Sequence, residues 1–349
     1  MAYTTINKST DNFNTVLYTG NGGTNAITGV GFQPDWVSIK RRSGSASNGG
    51  VFDVVRGVTK LLSTSLSDAE DTRADSLTAF GTDGFTLGAD TGNYVNTNSE
   101  TFASWNWKAG GTGSANSNGS VYSTVSVNTT AGFSIVSWTG TGANATVGHG
   151  LGAVPQVFII KNRSVVGEWG VYHHSLTNAE QVSLFLDLNN AVSGTSASRY
   201  NNTAPTSSVF SLGSGSLYNG SGNNMIAYCF AEKSGYSKFG KYTGNGNADG
   251  TFVYTGFKPT WVLGKRTDSA NNWYLFDTVR DPFNLTTKKL RPDTSAAEND
   301  NSSKAIDILS NGFKIKNSDA EFNASGGTYI YMAFGQTLVG SNNIPSTAR

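Results

Sequence analysis

The sequence predicts an all-β protein made of three tandem β-sandwich domains, jelly-roll or lectin-like. Three observations predict it: a turn- and strand-forming composition, short apolar runs bounded by turn residues, and one pattern written three times. Of 349 residues, 42 are Gly, 11% are aromatic and only 14% are charged. Gly, Ser, Thr, Asn and aromatic residues build turns and strands, whereas helical chains lean on Ala, Leu, Glu and Lys. The hydrophobic share of 37% is low, but Phe, Tyr and Trp each bury enough area to fill small cores.

Each copy opens on an aromatic residue followed by Thr-Gly-x-Gly. The three openers are Tyr18-Thr19-Gly20-Asn21-Gly22, Trp138-Thr139-Gly140-Thr141-Gly142 and Tyr242-Thr243-Gly244-Asn245-Gly246. A proline-led strand follows: Pro34-Asp35-Trp36-Val37, Pro155-Gln156-Val157-Phe158 and Pro259-Thr260-Trp261-Val262. Six residues beyond each proline stands a lysine: Lys40, Lys161 and Lys265. The third element is Phe52-Asp53-Val54-Val55-Arg56 and Phe276-Asp277-Thr278-Val279-Arg280, loosened to Trp169-Gly170-Val171-Tyr172-His173-His174 in the middle copy. Each copy closes on an aromatic strand, Trp105-Asn106-Trp107, Tyr228-Cys229-Phe230 or Met332-Ala333-Phe334. The opening aromatics at 18, 138 and 242 step by 120 and 104 residues; the closing ones at 107, 230 and 334 step by 123 and 104. A domain-length repeat is the reading that fits such registered landmarks.

The copies divide the chain into 1–110 (N-terminal tail and first sandwich), 111–131 (linker), 132–236 (second sandwich) and 237–349 (third sandwich and C-terminal tail). The Gly/Ser/Thr-rich composition of 111–131 predicts a flexible linker. Only Lys233-Ser234-Gly235 separates the second and third copies, which predicts that these two pack together. The runs Trp36–Ile39, Val157–Ile160 and Trp261–Leu263 are continuously apolar, as in strands covered on both faces. The prolines are placed at strand starts, where a missing N–H removes no ladder bond. Helices are minor; Lys60–Leu66 and Asp68–Asp75 are the candidates. The polar ends, Met1–Asn14 and Val339–Arg349, fall outside the repeat.

With 25 basic and 24 acidic residues, the net charge is +1 and no basic block occurs, so no nucleic-acid partner is expected. Cys229 is the sole cysteine and reads as a small core residue, which excludes an internal disulfide framework. The polar stretch Met1–Thr15 has no apolar core, so a signal peptide is not expected. No apolar run reaches the roughly 20 residues of a membrane helix. The chain is expected to be soluble and made in a cytosol; a role outside the cell would need it to leave as part of an assembled particle.

Catalytic, metal and cofactor sites are not expected. His173 and His174, with His149 upstream, are the most tempting metal ligands, but neighbouring residues on a strand point to opposite faces and so do not share one ion. Asp53 with Arg56 and Asp277 with Arg280 read as local salt bridges at strand ends rather than a carboxylate dyad. The Thr-Gly-x-Gly segments lack the lysine and helix of a phosphate loop. Trp105, Trp107, Trp169 and Trp273 are the candidates for a sugar-stacking surface. Trp273, with its loop-like neighbours Asn271 and Asn272, is the best of them, and His173 and His174 are the other weak ligand candidates.

The chain resembles repeat-containing virion structural, or tail fibre-like, proteins of marine bacteriophages. The resemblance rests on Tyr-Thr-Gly-Asn-Gly followed by Gly-Phe-x-Pro-x-Trp-Val, and on Ser123–Gly132 leading into Phe133-Ser134-Ile135-Val136. Gly148-His149-Gly150-Leu151-Gly152 and Tyr329–Phe334 complete it, and it spans residues 15–349. It implies a non-enzymatic virion surface component, a tail fibre or appendage for host attachment, with capsid decoration as the alternative. Expected partners are further copies in a homotrimer, other virion proteins and a host surface glycan. No site residues carry over. The rival readings are a glycan-degrading tailspike enzyme, whose rung-length repeat is far shorter than this period, and a free secreted lectin.

Overall fold

Short β-branched and aromatic runs between glycine-bearing turns become antiparallel strands throughout the computed structural model, which describes residues 4–336. The α-helices among the described residues are single turns at Ala197–Tyr200, Ser216–Asn219 and Ala320–Asn323. The chain is all-β.

Each copy contributes one large sheet with the same strand order: opening, closing, proline-led, fourth. In the first copy these are Phe13–Thr19, Thr101–Trp107, Trp36–Arg41 and Gly50–Asp53. In the second they are Phe133–Thr139, Asn224–Phe230, Val157–Asn162 and Gly170–His173. In the third they are Ser237–Thr243, Thr328–Gln336, Lys258–Arg266 and Tyr274–Asp277. The registers also correspond: Trp36 opposes Trp107 and Asp53, Val157 opposes Phe230 and His173, and Trp261 opposes Phe334 and Asp277. Pro34 and Pro155 precede their strands, whereas Pro259 lies inside one, opposite Gly335 and beside a register shift between Pro259 and Trp261.

The continuous apolar runs are buried on both faces because alternation sends successive residues to different cores. Trp261 and Leu263 join an inner cluster while Val262 joins an outer one. The outer clusters of the first and third copies lie against smaller sheets, Asn25–Ile27/Gly84–Leu87/Leu77–Gly81 and Phe252–Tyr254/Gly312–Ile315/Ile306–Leu309. The inner cluster is shared by all three copies. Its centre is a triangle of closing-strand rings: Trp107 to Phe230 at 6.5 Å, Phe230 to Phe334 at 5.8 Å, and Trp107 to Phe334 at 5.7 Å. Three separate small cores are therefore replaced by one common core with two satellites.

Other expectations are corrected. Residues 111–131 are no free linker: Ser114–Asn116 and Ser123–Asn128 add two strands to the second copy's sheet. Their glycines mark turns, with Gly111, Gly113 and Gly119 all at positive φ. The helix expected over Lys60–Leu66 is instead the end of the strand Gly57–Leu62 followed by a turn, and that over Asp68–Asp75 contains the strand Asp71–Thr72. Leu61 faces the outer core and Leu62 the common one, a split that the strand period supplies directly. Within the described part of the N-terminal segment, Ile6 lies in the common core and Phe13 heads the first strand. The C-terminal tail, Val339–Arg349, lies outside the described residues.

Candidate functional site

The repeated polar landmarks meet at three joints that run head to tail: first copy onto second, second onto third, third back onto first. At each joint a landmark lysine is buried and donates to a carbonyl of the preceding copy. Lys161 reaches Ser67 at 2.8 Å, Lys265 reaches Asn189 at 3.2 Å, and Lys40 reaches Thr294. Burial pulls all three pKa values down to about 8, opposed by Asp187 for Lys161 and by Asp293 for Lys265 and Lys40. Backbone bonds repeat the pattern: Glu70 N–H to Arg163 carbonyl at 2.9 Å, Val192 to Thr267 at 2.9 Å, and Glu298 to Arg42 at 3.1 Å.

The Asp–Arg pairs close two of these joints. Asp53 and Arg56 form a buried ion pair at 2.5 Å, extended to Glu70 and thence to Arg163 of the second copy at 2.8 Å. Asp277, Arg280 and Glu298 repeat it and hold Arg42 of the first copy at 3.0 Å. Each aspartate accepts one further bond from the neighbouring copy, from Tyr228 O–H to Asp53 at 2.7 Å and from Trp105 Nε1–H to Asp277 at 3.0 Å. Every carboxylate and guanidinium is thus paired and hydrogen-bonded, the condition for keeping charge in a dry interface.

His173 occupies the place of Asp53 and Asp277 at the remaining joint, because all three oppose the equivalent residue of the proline-led strand. The third copy offers Met332 where the others offer Tyr228 and Trp105, so no donor faces a carboxylate there. A neutral imidazole fits instead: Nδ1 accepts from Ser175 N–H at 3.2 Å, and Nε2 donates to the Tyr331 carbonyl at 3.2 Å. The strand ends at His173, so alternation no longer separates it from His174. The two rings stack with centroids 5.3 Å apart, and His174 Nε2 lies 2.9 Å from the Phe239 carbonyl. Both histidines thus bond the third copy's backbone, and among the described residues no group of three or more His, Cys, Asp or Glu could hold a metal ion.

Trp273 does not form an exposed platform. It is buried, with Nε1–H donating to the Phe185 carbonyl of the second copy at 2.8 Å. Trp169 does the same toward Ser63 at 2.9 Å, and Trp105 and Trp107 are buried in the common core. An apolar cavity there, lined by Trp36, Trp107, Phe230 and Trp261, measures about 50 Å³, far below the roughly 300 Å³ at which ligand pockets begin. Cys229 is buried and burial pushes its thiol pKa upward.

The exposed rings lie elsewhere. On the third copy's small sheet, Phe252 is 43% and Tyr254 60% exposed, while Val253 between them is buried in the outer core. The alternation Thr251-Phe252-Val253-Tyr254-Thr255 carries this signal in the sequence. Asp249 beside them bridges Lys314 at 2.7 Å and Lys316 at 3.2 Å. Among the described residues no helix is long and apolar enough to cross a membrane.

No curated protein matches the chain. One family model, described as "Domain of unknown function (DUF7483)", matches residues 8–337 and so spans all three copies as a unit; the chain belongs to that family.

Proposed function

We propose that this chain is a non-enzymatic bacteriophage virion surface protein, a tail fibre or appendage component for host attachment. In this reading it is three β-sandwich modules, each a large sheet covered by a smaller one, closed into a ring by their inner faces. The observation that supports it is the use made of the repeated polar residues. Lysines 40, 161 and 265, both Asp–Arg pairs, Trp169, Trp273 and the paired histidines all serve the joints between copies. The residue types that could carry chemistry are spent on rigidity, which suits a particle component exposed to mechanical and chemical stress. A head-to-tail ring that closes on itself leaves no unsatisfied joint face, so assembly into the expected homotrimer uses the outer surfaces or the ends.

Purified particles of a phage encoding this chain test the proposal by mass spectrometry and immunogold electron microscopy. Gold at the tail supports the fibre reading and gold over the head supports decoration. Absence of the chain from washed particles overturns both. Release of reducing ends from host polysaccharide would favour the tailspike enzyme.

A further inference from the structure

We propose that Phe252 and Tyr254 form a stacking platform for an extended bacterial surface glycan. The inference rests on the attachment reading above and deepens it by naming the surface that touches the host.

The two rings leave the same face of one strand, two residues and so about 7 Å apart, which matches an oligosaccharide better than a single sugar. Phe252 opposes Lys314 and Tyr254 opposes Gly312 in the ladder. The Phe252 ring lies over Gly312, where a first side-chain carbon would stand only 3.0 Å from it. A ring laid across a bare glycine is held close to the sheet and keeps a face for solvent. A pyranose has one C–H face that packs on such a ring, and hydroxyls at its rim that need donors and acceptors. Asp249, Lys314 and Lys316 supply both beside the rings.

Core packing does not account for these aromatics. The outward positions equivalent to Phe252 and Tyr254 hold Ala26 and Thr28 in the first copy, and Thr146 and Gly148 in the second, by the registers Ile27–Phe85, Val147–Phe210 and Val253–Phe313. At these two positions three sheets of one design thus differ, and only the third carries rings there. The patch is also too small for a stable protein partner. Two aromatic side chains offer at most about 150–250 Å² each, against roughly 800 Å² per side in a standard interface. Nucleic-acid bases would stack on the same rings, but Asp249 between the two lysines repels a phosphate backbone, and the whole chain carries a net charge of only +1.

The test prints an array of bacterial capsular polysaccharides and lipopolysaccharide O-chains and probes it with the full chain. The probes are wild type, a Phe252→Ala/Tyr254→Ala variant, and Phe283→Ala, which removes a 76% exposed ring elsewhere on the same copy. Unchanged melting temperatures establish that the variants are folded. Wild type is expected to bind at least one polysaccharide, the double variant to lose tenfold or more in affinity, and Phe283→Ala to keep it. No binding to the array, binding that survives the double substitution, or preferential binding of single-stranded dT12 overturns the proposal. Particle labelling is scored separately: a labelled virion without glycan binding sinks this inference alone, and glycan binding by a protein absent from virions sinks the attachment reading.

Discussion

Replacing His173 by asparagine separates two things the imidazole does at its joint, hydrogen bonding and titration. His173 is fully enclosed, and burial pulls its pKa down to about 3, the bond to Tyr331 opposing and the neighbouring His174 assisting. An unfolded histidine titrates near 6.5. The unfolded chain therefore binds more protons than the folded one between these values, and folding stability falls as pH drops below about 6.5. At pH 4 the loss due to this one ring is about 3 kcal/mol, from 1.36 kcal/mol per pH unit over roughly 2.5 units.

The His173→Asn variant keeps a donor for the Tyr331 carbonyl, but its amide does not titrate. At pH 7.5 the substitution is expected to cost about 1–2 kcal/mol, the worth of one imperfectly replaced buried bond. On acidification to pH 4 it escapes the roughly 3 kcal/mol penalty, so the variant draws level with wild type or passes it. Urea unfolding followed by the fluorescence of the seven tryptophans, at pH 7.5 and 4.0 for both proteins, reads the difference. Equal acid sensitivity in the two proteins would mean that the ring titrates as freely folded as unfolded, and the reasoning from a dry joint would fail.

The other joints yield matching expectations. Tyr228→Phe and Trp105→Phe each withdraw one donor from a buried carboxylate, at about 1.5–3 kcal/mol apiece for a bond to a charged group; urea midpoints measure this, and losses below about 0.5 kcal/mol would refute it. Lys161→Met removes an ammonium whose folded pKa is about 8, against about 10.4 unfolded. Wild type should gain stability relative to that variant as pH rises from 8 to 10, because the unfolded lysine keeps its proton longer; parallel behaviour in paired urea titrations would contradict the burial. Phe334→Ala opens the central triangle and should cost about 3–5 kcal/mol, with thermal unfolding remaining a single transition; a separate early melting of the third copy would show that the common core does not couple the copies.

Much of the fold is legible in the sequence because its signals are local. Gly, Asn and Pro mark the turns, and the continuous run at Trp36–Ile39 is buried on both faces. The registered lysines mark equivalent positions before their purpose is known. The covering of each face is not legible, because a run buried by its own small sheet looks the same as one buried by another copy. Lys161 finds its carbonyl at Ser67, 94 residues upstream, and no local pattern encodes that distance. The same gap misplaces Trp273, whose asparagine neighbours read as an exposed loop although the second copy covers the ring. Residues 111–131 mislead for a different reason: turn-rich edge strands and flexible linkers share one composition. The alternation through Phe252, Val253 and Tyr254 puts the two outer rings on one face, and comparing the copies position by position shows that at this place they belong to the third copy alone.

The departures of the middle copy form one coupled change rather than a loosened repeat. Two joints carry a buried aspartate, its arginine three residues on, and a glutamate that reaches an arginine of the next copy. At the third joint His173 stands for the aspartate, Leu176 for the arginine, Val192 for the glutamate and Thr267 for the partner arginine. Met332 faces it in place of Tyr228 or Trp105. Losing one partner alone would leave an uncompensated buried charge, at about 3–5 kcal/mol. Losing all of them leaves a joint without the buried Asp–Arg–Glu network, sealed by apolar packing, the Lys265 bond to Asn189 and two histidine bonds to backbone, a replacement that can be free of cost or better. A closed ring enforces this logic because every face has a fixed partner, so a residue at a joint changes safely only with the residues it meets on the next copy.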